Sequence, residues 1–192
     1  GAEIVYAWPS FSIYPHMSAL SGAREIRVPL ADGDVHDLDA MLTEITAATQ
    51  IVVVCNPNNP TGTNIPAARI ASFLERVPKH VTVILDEAYV EFQLDDDPDT
   101  TVLDRVERNA IERVFVEEGV RELGLETPPS GANFSWVSLG DRDEGEVIGS
   151  LTRAGVAVRP GTPLGGPGHF RVSYGTRAEN ERFLAALGDA LA

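Results

Sequence analysis

Short apolar runs alternate along this chain with stretches whose apolar positions recur at helical spacing, a pattern that predicts an α/β protein. Residues 4–7 read as a strand, 13–21 as a helix, 25–28 as a strand, 38–45 as a helix and 51–55 as a strand. Pro66 suits the first turn of a helix that runs to about Val77. Residues 81–85 form a continuous apolar run of the kind buried on both faces of a parallel sheet. Strand, helix and strand from Ile51 to Asp86 predict one right-handed crossover unit.

The second half follows another rhythm. Residues 94–101 are acidic and turn-rich with no packing face, and residues 105–123 are helical in period. A strand is expected over 132–139, a helix over 144–154 and a strand over 156–159. A loop rich in Gly and Pro (161–168) then leads into a strand over 170–173. Thr176-Arg-Ala-Glu179 is a capping-box signature, and the helix behind it aligns Phe183, Leu184, Leu187 and Leu191 on one face. The expected organisation is part of a larger domain over 1–93, an acidic loop or break over 94–104, and a smaller C-terminal α+β domain over 105–192. The larger part should hold a mostly parallel sheet with helices on both faces.

Charge and composition narrow the partners. A formal charge of −14 over 192 residues argues against nucleic acid and anionic membrane, which need clustered Lys and Arg. The apolar runs are too short to span a bilayer, and no secretory signal precedes the first strand. The single cysteine, Cys55, excludes an internal disulfide and fits a reducing compartment, so the expected location is the cytoplasm. His16, His36, His80 and His169 show no metal-ligand spacing, and no metal site is expected. Asp95, Asp96, Asp97 and Asp99 lack the glycine and distal glutamate of a calcium loop and read as solvated.

The candidate chemistry lies at the strand ends, where open parallel sheets bind ligands. Asn56-Pro-Asn-Asn-Pro-Thr-Gly62 follows one strand and Asp86-Glu-Ala-Tyr89 follows the next. Singly, the first is a good turn and the second a helix start. Together they bring an amide, a carboxylate and a phenol to one crevice. A carboxylate at that depth is costly unless it meets a cation or several donors, and a protonated pyridine nitrogen would supply the cation. Asn59 and Tyr89 can donate to a ring oxygen, and Phe11 can stack on the ring face.

Five segments in order carry a resemblance: residues 55–63, 86–92, Ser-Gly-Ala-Asn-Phe (130–134), Val-Arg-Pro (158–160) and 170–180. The chain resembles the histidinol-phosphate aminotransferase family, within the fold-type I enzymes that use pyridoxal 5'-phosphate. The resemblance implies that Phe11 stacks on the cofactor, that Asn59 and Tyr89 hold its phenolate oxygen and that Asp86 pairs with its pyridine nitrogen. Asp86 and Tyr89 are thereby the implied catalytic residues. Arg171 would bind the carboxylate of the amino-acid donor with Asn133 nearby, and Arg159 with Arg171 would take a substrate phosphate. His169, beside Arg171, is the histidine closest to this set in sequence. Amino-acid and 2-oxo-acid substrates and a homodimer follow from the same resemblance. The expected reaction is amino transfer between histidinol phosphate and 2-oxoglutarate, with aromatic amino-acid transamination as the near alternative.

The family pattern also breaks. Its cofactor-bearing lysine lies in a central segment absent here, and its N-terminal portion with a phosphate loop is absent too. The single lysine, Lys79, precedes the strand that Asp86 follows, roughly 20 Å away at about 3.3 Å per residue, so it cannot substitute. Gly131 stands where the family carries glutamine. Two explanations for the break are segments left out of a heavier polypeptide, which is favoured, and a true deletion. A lysine-less binding or dimerisation module and a decarboxylase or lyase on the same scaffold are the readings from other classes.

Overall fold

A computed structural model describes residues 1–92 and 103–192, and the acidic stretch 94–101 lies outside the described residues. The N-terminal part contains β1 (Glu3–Trp8), α1 (Ile13–Ser21), β2 (Arg24–Pro29), α2 (Leu38–Thr43), β3 (Thr49–Cys55), α3 (Ala67–Arg76) and β4 (Thr82–Asp86). The C-terminal part contains α4 (Leu103–Glu122), β5 (Phe134–Ser138), α5 (Glu144–Arg153), β6 (Arg159–Pro160), β7 (His169–Ser173) and α6 (Arg177–Leu191).

The four N-terminal strands are all parallel, in the order β2-β1-β3-β4. Side chains alternate across such a sheet, and the alternation sorts the helices. Val5, Ala7, Val52 and Val54 face α2 and α3 through Leu38, Met41, Ile70 and Phe73. Ile4, Tyr6, Val53 and Cys55 face the opposite way and meet Tyr14 and Met17 of α1. Helices therefore cover both faces.

The C-terminal sheet is antiparallel, in the order β5-β7-β6. One face, with Val137, Leu139, Phe170 and Val172, packs on Val116 and Val120 of α4, Val147 and Leu151 of α5, and Phe183 and Leu187 of α6. The capping box at Thr176 and Glu179 is formed, which places the buried stripe of α6 over the sheet. The other face presents Phe134, Trp136 and Arg171 toward the strand ends of the parallel sheet.

Two expectations are corrected. Residues 156–158 are not strand, because within this segment only Arg159 and Pro160 pair with β7, and Val156 and Val158 instead pack against the core formed with α4, α5 and α6. The apolar run before Asp86 is not buried throughout: among the described residues β4 pairs with β3 alone, and Leu85 is 37% exposed. No described helix is long and apolar enough to cross a membrane.

Candidate active site

The chain leaves β1 for α1 and β2 on one side and reaches β3 on the other, so a crevice opens beyond β1 and β3. Phe11 lies on the tip after β1, Asn59 on the tip after β3, and Asp86 closes β4 opposite Cys55. Three adjacent strands thus deliver three of the expected residues to one edge. Lys79 precedes β4 and lies at the far edge of the sheet from Asp86.

Each asparagine of the tip after β3 has a different task. Asn56 clamps the base of the loop, its amide exchanging two hydrogen bonds with the backbone of Ile65 at 2.7 and 3.2 Å. Asn58 is fully engaged in a buried network with Ser10, Pro9, Thr61 and His36. Asn59 faces the crevice, where its Oδ1 accepts from Arg171 Nη1 at 2.7 Å.

Around Arg171 the geometry is well defined. Its guanidinium sits 4.7 Å from the Phe134 ring centroid, and Tyr89 meets the same ring edge-on at 5.1 Å. The Tyr89 phenol also acts on the guanidinium, tending to raise its pKa. Arg171 Nε is buried with no hydrogen-bond partner. Arg159 stands directly opposite Arg171 in the antiparallel ladder, a like-charge pairing that an anion would relieve. Burial lowers the Arg171 pKa and so does Arg159, against the raising influence of Tyr89.

Asp86 has a partner that the motif reading missed. Tyr14, on the buried side of α1, donates its hydroxyl to Asp86 Oδ2 at 2.7 Å. Burial is the first cause that drives the Tyr14 pKa far up, with Cys55 and Asp86 adding to it. Tyr14 also meets the half-exposed Phe11 ring edge-on at 5.9 Å, so it connects the two residues expected to touch the ring. The Cys55 thiol lies against Tyr14, Asp86 and the Asn59 backbone, and burial raises its pKa. The signal for Tyr14 was its place three residues after Phe11 on the inward stripe of α1.

Asn133 lines a cleft of about 250 Å³ with Phe92, Asn109, Glu112 and Tyr174, and its backbone carbonyl accepts from Tyr174. His169 stacks on Trp136 at 5.1 Å instead of joining the guanidiniums. A side chain at Gly131 would begin 1.9 Å from Asn64 Nδ2, so the asparagine fills the space that a family glutamine would enter. Gly62 has φ +74° and a Cβ there would fall 2.2 Å from Ser130 Oγ, while its carbonyl accepts from the Gly131 N–H at 2.6 Å. This close approach joins the Asn59 loop to the entry of β5. No group of acidic, His or Cys side chains among the described residues can hold a metal ion.

Sequence and fold comparisons show what the chain is similar to. The family description "Aminotransferase class I and II" matches residues 1–120 and 93–187, in two pieces. An aromatic amino acid aminotransferase of Streptomyces avermitilis is 34% identical over 250 residues, covering 96% of this chain and 68% of that protein. A histidinol-phosphate aminotransferase of Halalkalibacterium halodurans is 33% identical over 254 residues, covering 98% of this chain and 68% of its own length. Both alignments run longer than the 192 residues of this chain, so each relative carries a stretch with no counterpart here. In fold, histidinol-phosphate aminotransferase from Sinorhizobium meliloti in complex with pyridoxal-5'-phosphate matches with a TM-score of 0.86 at 22% identity, covering 100% of this chain and 70% of that one. Aspartate aminotransferase from Thermus thermophilus with maleate matches with a TM-score of 0.90 at 20% identity, covering 99% and 70%. With a family match over most of its length and about a third of aligned positions identical in two named enzymes, the chain belongs to the class I and II aminotransferase family.

Proposed function

We propose that this chain builds the ring-binding and substrate-carboxylate part of a pyridoxal-phosphate site and serves amino transfer from an amino acid to a 2-oxo acid. The observation that carries this reading is Arg171. A half-buried guanidinium with a bare Nε, bonded to Asn59 and opposed by Arg159, is a seat for an anion beside the ring-binding residues. The donor set suits the cofactor: the Asp86 carboxylate for a protonated ring nitrogen, the Asn59 amide and Tyr89 phenol for a ring oxygen, and the Phe11 ring for a stacking face.

Bound pyridoxal phosphate would supply the electron sink that makes the substrate α-proton acidic. The residues of this chain do the rest of the holding. Asp86, fixed by Tyr14, would hold its carboxylate toward the ring nitrogen. Arg171 grips the substrate carboxylate and leaves the α-carbon beside Asn59 and Tyr89. Arg159 offers a second positive charge beside Arg171. Arg159 and Arg171 together suit a phosphate, which favours histidinol phosphate, with 2-oxoglutarate as acceptor; the aromatic amino acids remain the second substrate class, matched by the Streptomyces relative. The amine that carries the cofactor covalently and moves the α-proton is not supplied by Lys79. A cytoplasmic homodimer is part of the same proposal.

Titration with pyridoxal 5'-phosphate, followed by absorbance, tests the reading. A saturable complex that Asp86→Ala weakens, with no borohydride-trapped adduct on Lys79, is the expected result. Absence of any complex, or equal binding by Asp86→Ala, would remove it. In the intact enzyme, Arg159→Ala should abolish preference for a phosphorylated substrate.

A further inference from the structure

Beneath the crevice lies a polar network that the reaction does not explain. Asn58 is 1% exposed, yet its amide has four hydrogen-bond contacts. Its Oδ1 accepts from Ser10 Oγ at 2.7 Å and faces His36 Nε2 at 3.1 Å. Its Nδ2 donates to the Pro9 carbonyl at 3.2 Å and to Thr61 Oγ1 at 2.8 Å. Two donors and two lone pairs are all that an amide has, and here every one is used.

The placement of these partners matters more than their number. Pro9 and Ser10 immediately precede Phe11, and Asn58 and Thr61 bracket Asn59. One side chain therefore ties the tip after β1 to the tip after β3. His36 comes from a third segment, the connection between β2 and α2. The same connection is joined to the loop a second time, because Thr61 Oγ1 meets Thr63 Oγ1 at 2.8 Å and Thr63 Oγ1 donates to the Asp34 carbonyl at 2.7 Å. The bonds close a ring from Asn58 through the two threonines to Asp34 and back through His36.

His36 holds one orientation for chemical reasons. A carboxamide oxygen only accepts, so the proton of the neutral imidazole sits on Nε2. That leaves Nδ1 buried and without a partner. Burial lowers the His36 pKa to about 4, so the ring stays neutral at pH 7 and keeps the same tautomer.

We propose that Asn58, oriented by His36, is a positioning residue that couples the tip bearing Phe11 to the tip bearing Asn59, so that the two ring-binding side chains are set as a unit. The role of the two tips in holding a cofactor rests on the function proposed above; the coupling itself does not.

Two amides report on the two tips. The Tyr14 N–H donates to the Phe11 carbonyl and the Gly62 N–H donates to the Asn58 carbonyl. In His36→Leu the Nε2 donor is lost, and hydrogen exchange at both amides should accelerate together by about 10-fold, the scale of one lost buried hydrogen bond. His36→Gln, whose amide nitrogen can stand in for Nε2, should restore both. Leu38→Ala, a core truncation two residues away, should lower global stability without selecting these two amides. Should His36→Leu prove too unstable, Ser10→Ala removes the other donor to the same oxygen and should give the same paired acceleration. Acceleration at Gly62 alone, or failure of the glutamine to rescue, would overturn the coupling. Pyridoxal-phosphate affinity and the position of its absorption band should move in His36→Leu and not in Leu38→Ala. If the unsubstituted protein takes up no pyridoxal phosphate, the proposed function fails while the exchange experiment still decides the coupling.

Discussion

Arg171 and Asn59, 112 residues apart in sequence, are joined by a 2.7 Å hydrogen bond from guanidinium to amide oxygen. This bond links the antiparallel sheet to the strand ends of the parallel sheet. It uses one edge of the guanidinium fork and leaves Nε, buried, without a partner. Removing the fork should therefore cost ligand binding more than folding.

Arg171→Ala is expected to weaken binding of 2-oxoglutarate by roughly 10- to 100-fold, the range for charge-assisted hydrogen bonds. Arg171→Lys should recover only part, since a point charge cannot reproduce the fork. Calorimetric titration of the cofactor-loaded enzyme distinguishes the three proteins, and an unchanged affinity in Arg171→Ala would exclude an anion seat there.

Tyr14→Phe leaves Asp86 Oδ2 without the donor it has at 2.7 Å. A loss of about 1–3 kcal/mol in stability is expected from an unsatisfied acceptor of this kind. Urea denaturation measures the loss. The same variant should weaken cofactor binding, because the carboxylate is no longer fixed toward the ring.

His36 gives the protein a definite response to acid. Its folded pKa of about 4 lies below the ordinary histidine value, so the unfolded chain binds the proton more readily. The stability tied to neutral His36 is complete above about pH 6.5 and is lost progressively as pH falls toward about 4, on the order of 3 kcal/mol in all. Comparing urea midpoints at pH 7 and pH 4.5 should show a larger loss in the parent than in His36→Gln. Equal losses would show that other groups control the acid limb.

Gly62→Ala should be strongly destabilising. The residue has φ +74°, and a Cβ would fall 2.2 Å from Ser130 Oγ. The left-handed backbone alone costs roughly 1 kcal/mol for a non-glycine residue, before the collision is counted. Thermal melting reads the combined effect, and Gly22→Ala, with φ +69° but nothing within 4 Å, isolates the backbone part.

Lys79→Arg should leave cofactor affinity and spectrum unchanged. Its position before β4 puts it at the other end of the strand from Asp86. Any loss of the cofactor band in this variant would contradict the topology described above.

Local pattern alone determined much of this protein. The spacing of apolar residues located the helices and most strands, because an element that buries one face must repeat with its own period. The capping box at Thr176 was legible for a similar reason, since both partners lie within one turn. Phe11, Asn59, Asp86 and Tyr89 could be nominated because each follows a strand end, where parallel sheets leave polar tips. Tertiary structure decided what those tips touch. Tyr14 meets Asp86 across 72 residues and His36 meets Asn58 across 22, and neither pairing leaves a periodic trace in the chain. Strand order likewise left β4 at an edge among the described residues, although its apolar run reads like that of an inner strand. Periodicity reports which side of an element is buried; only packing selects the particular neighbour against which it is buried.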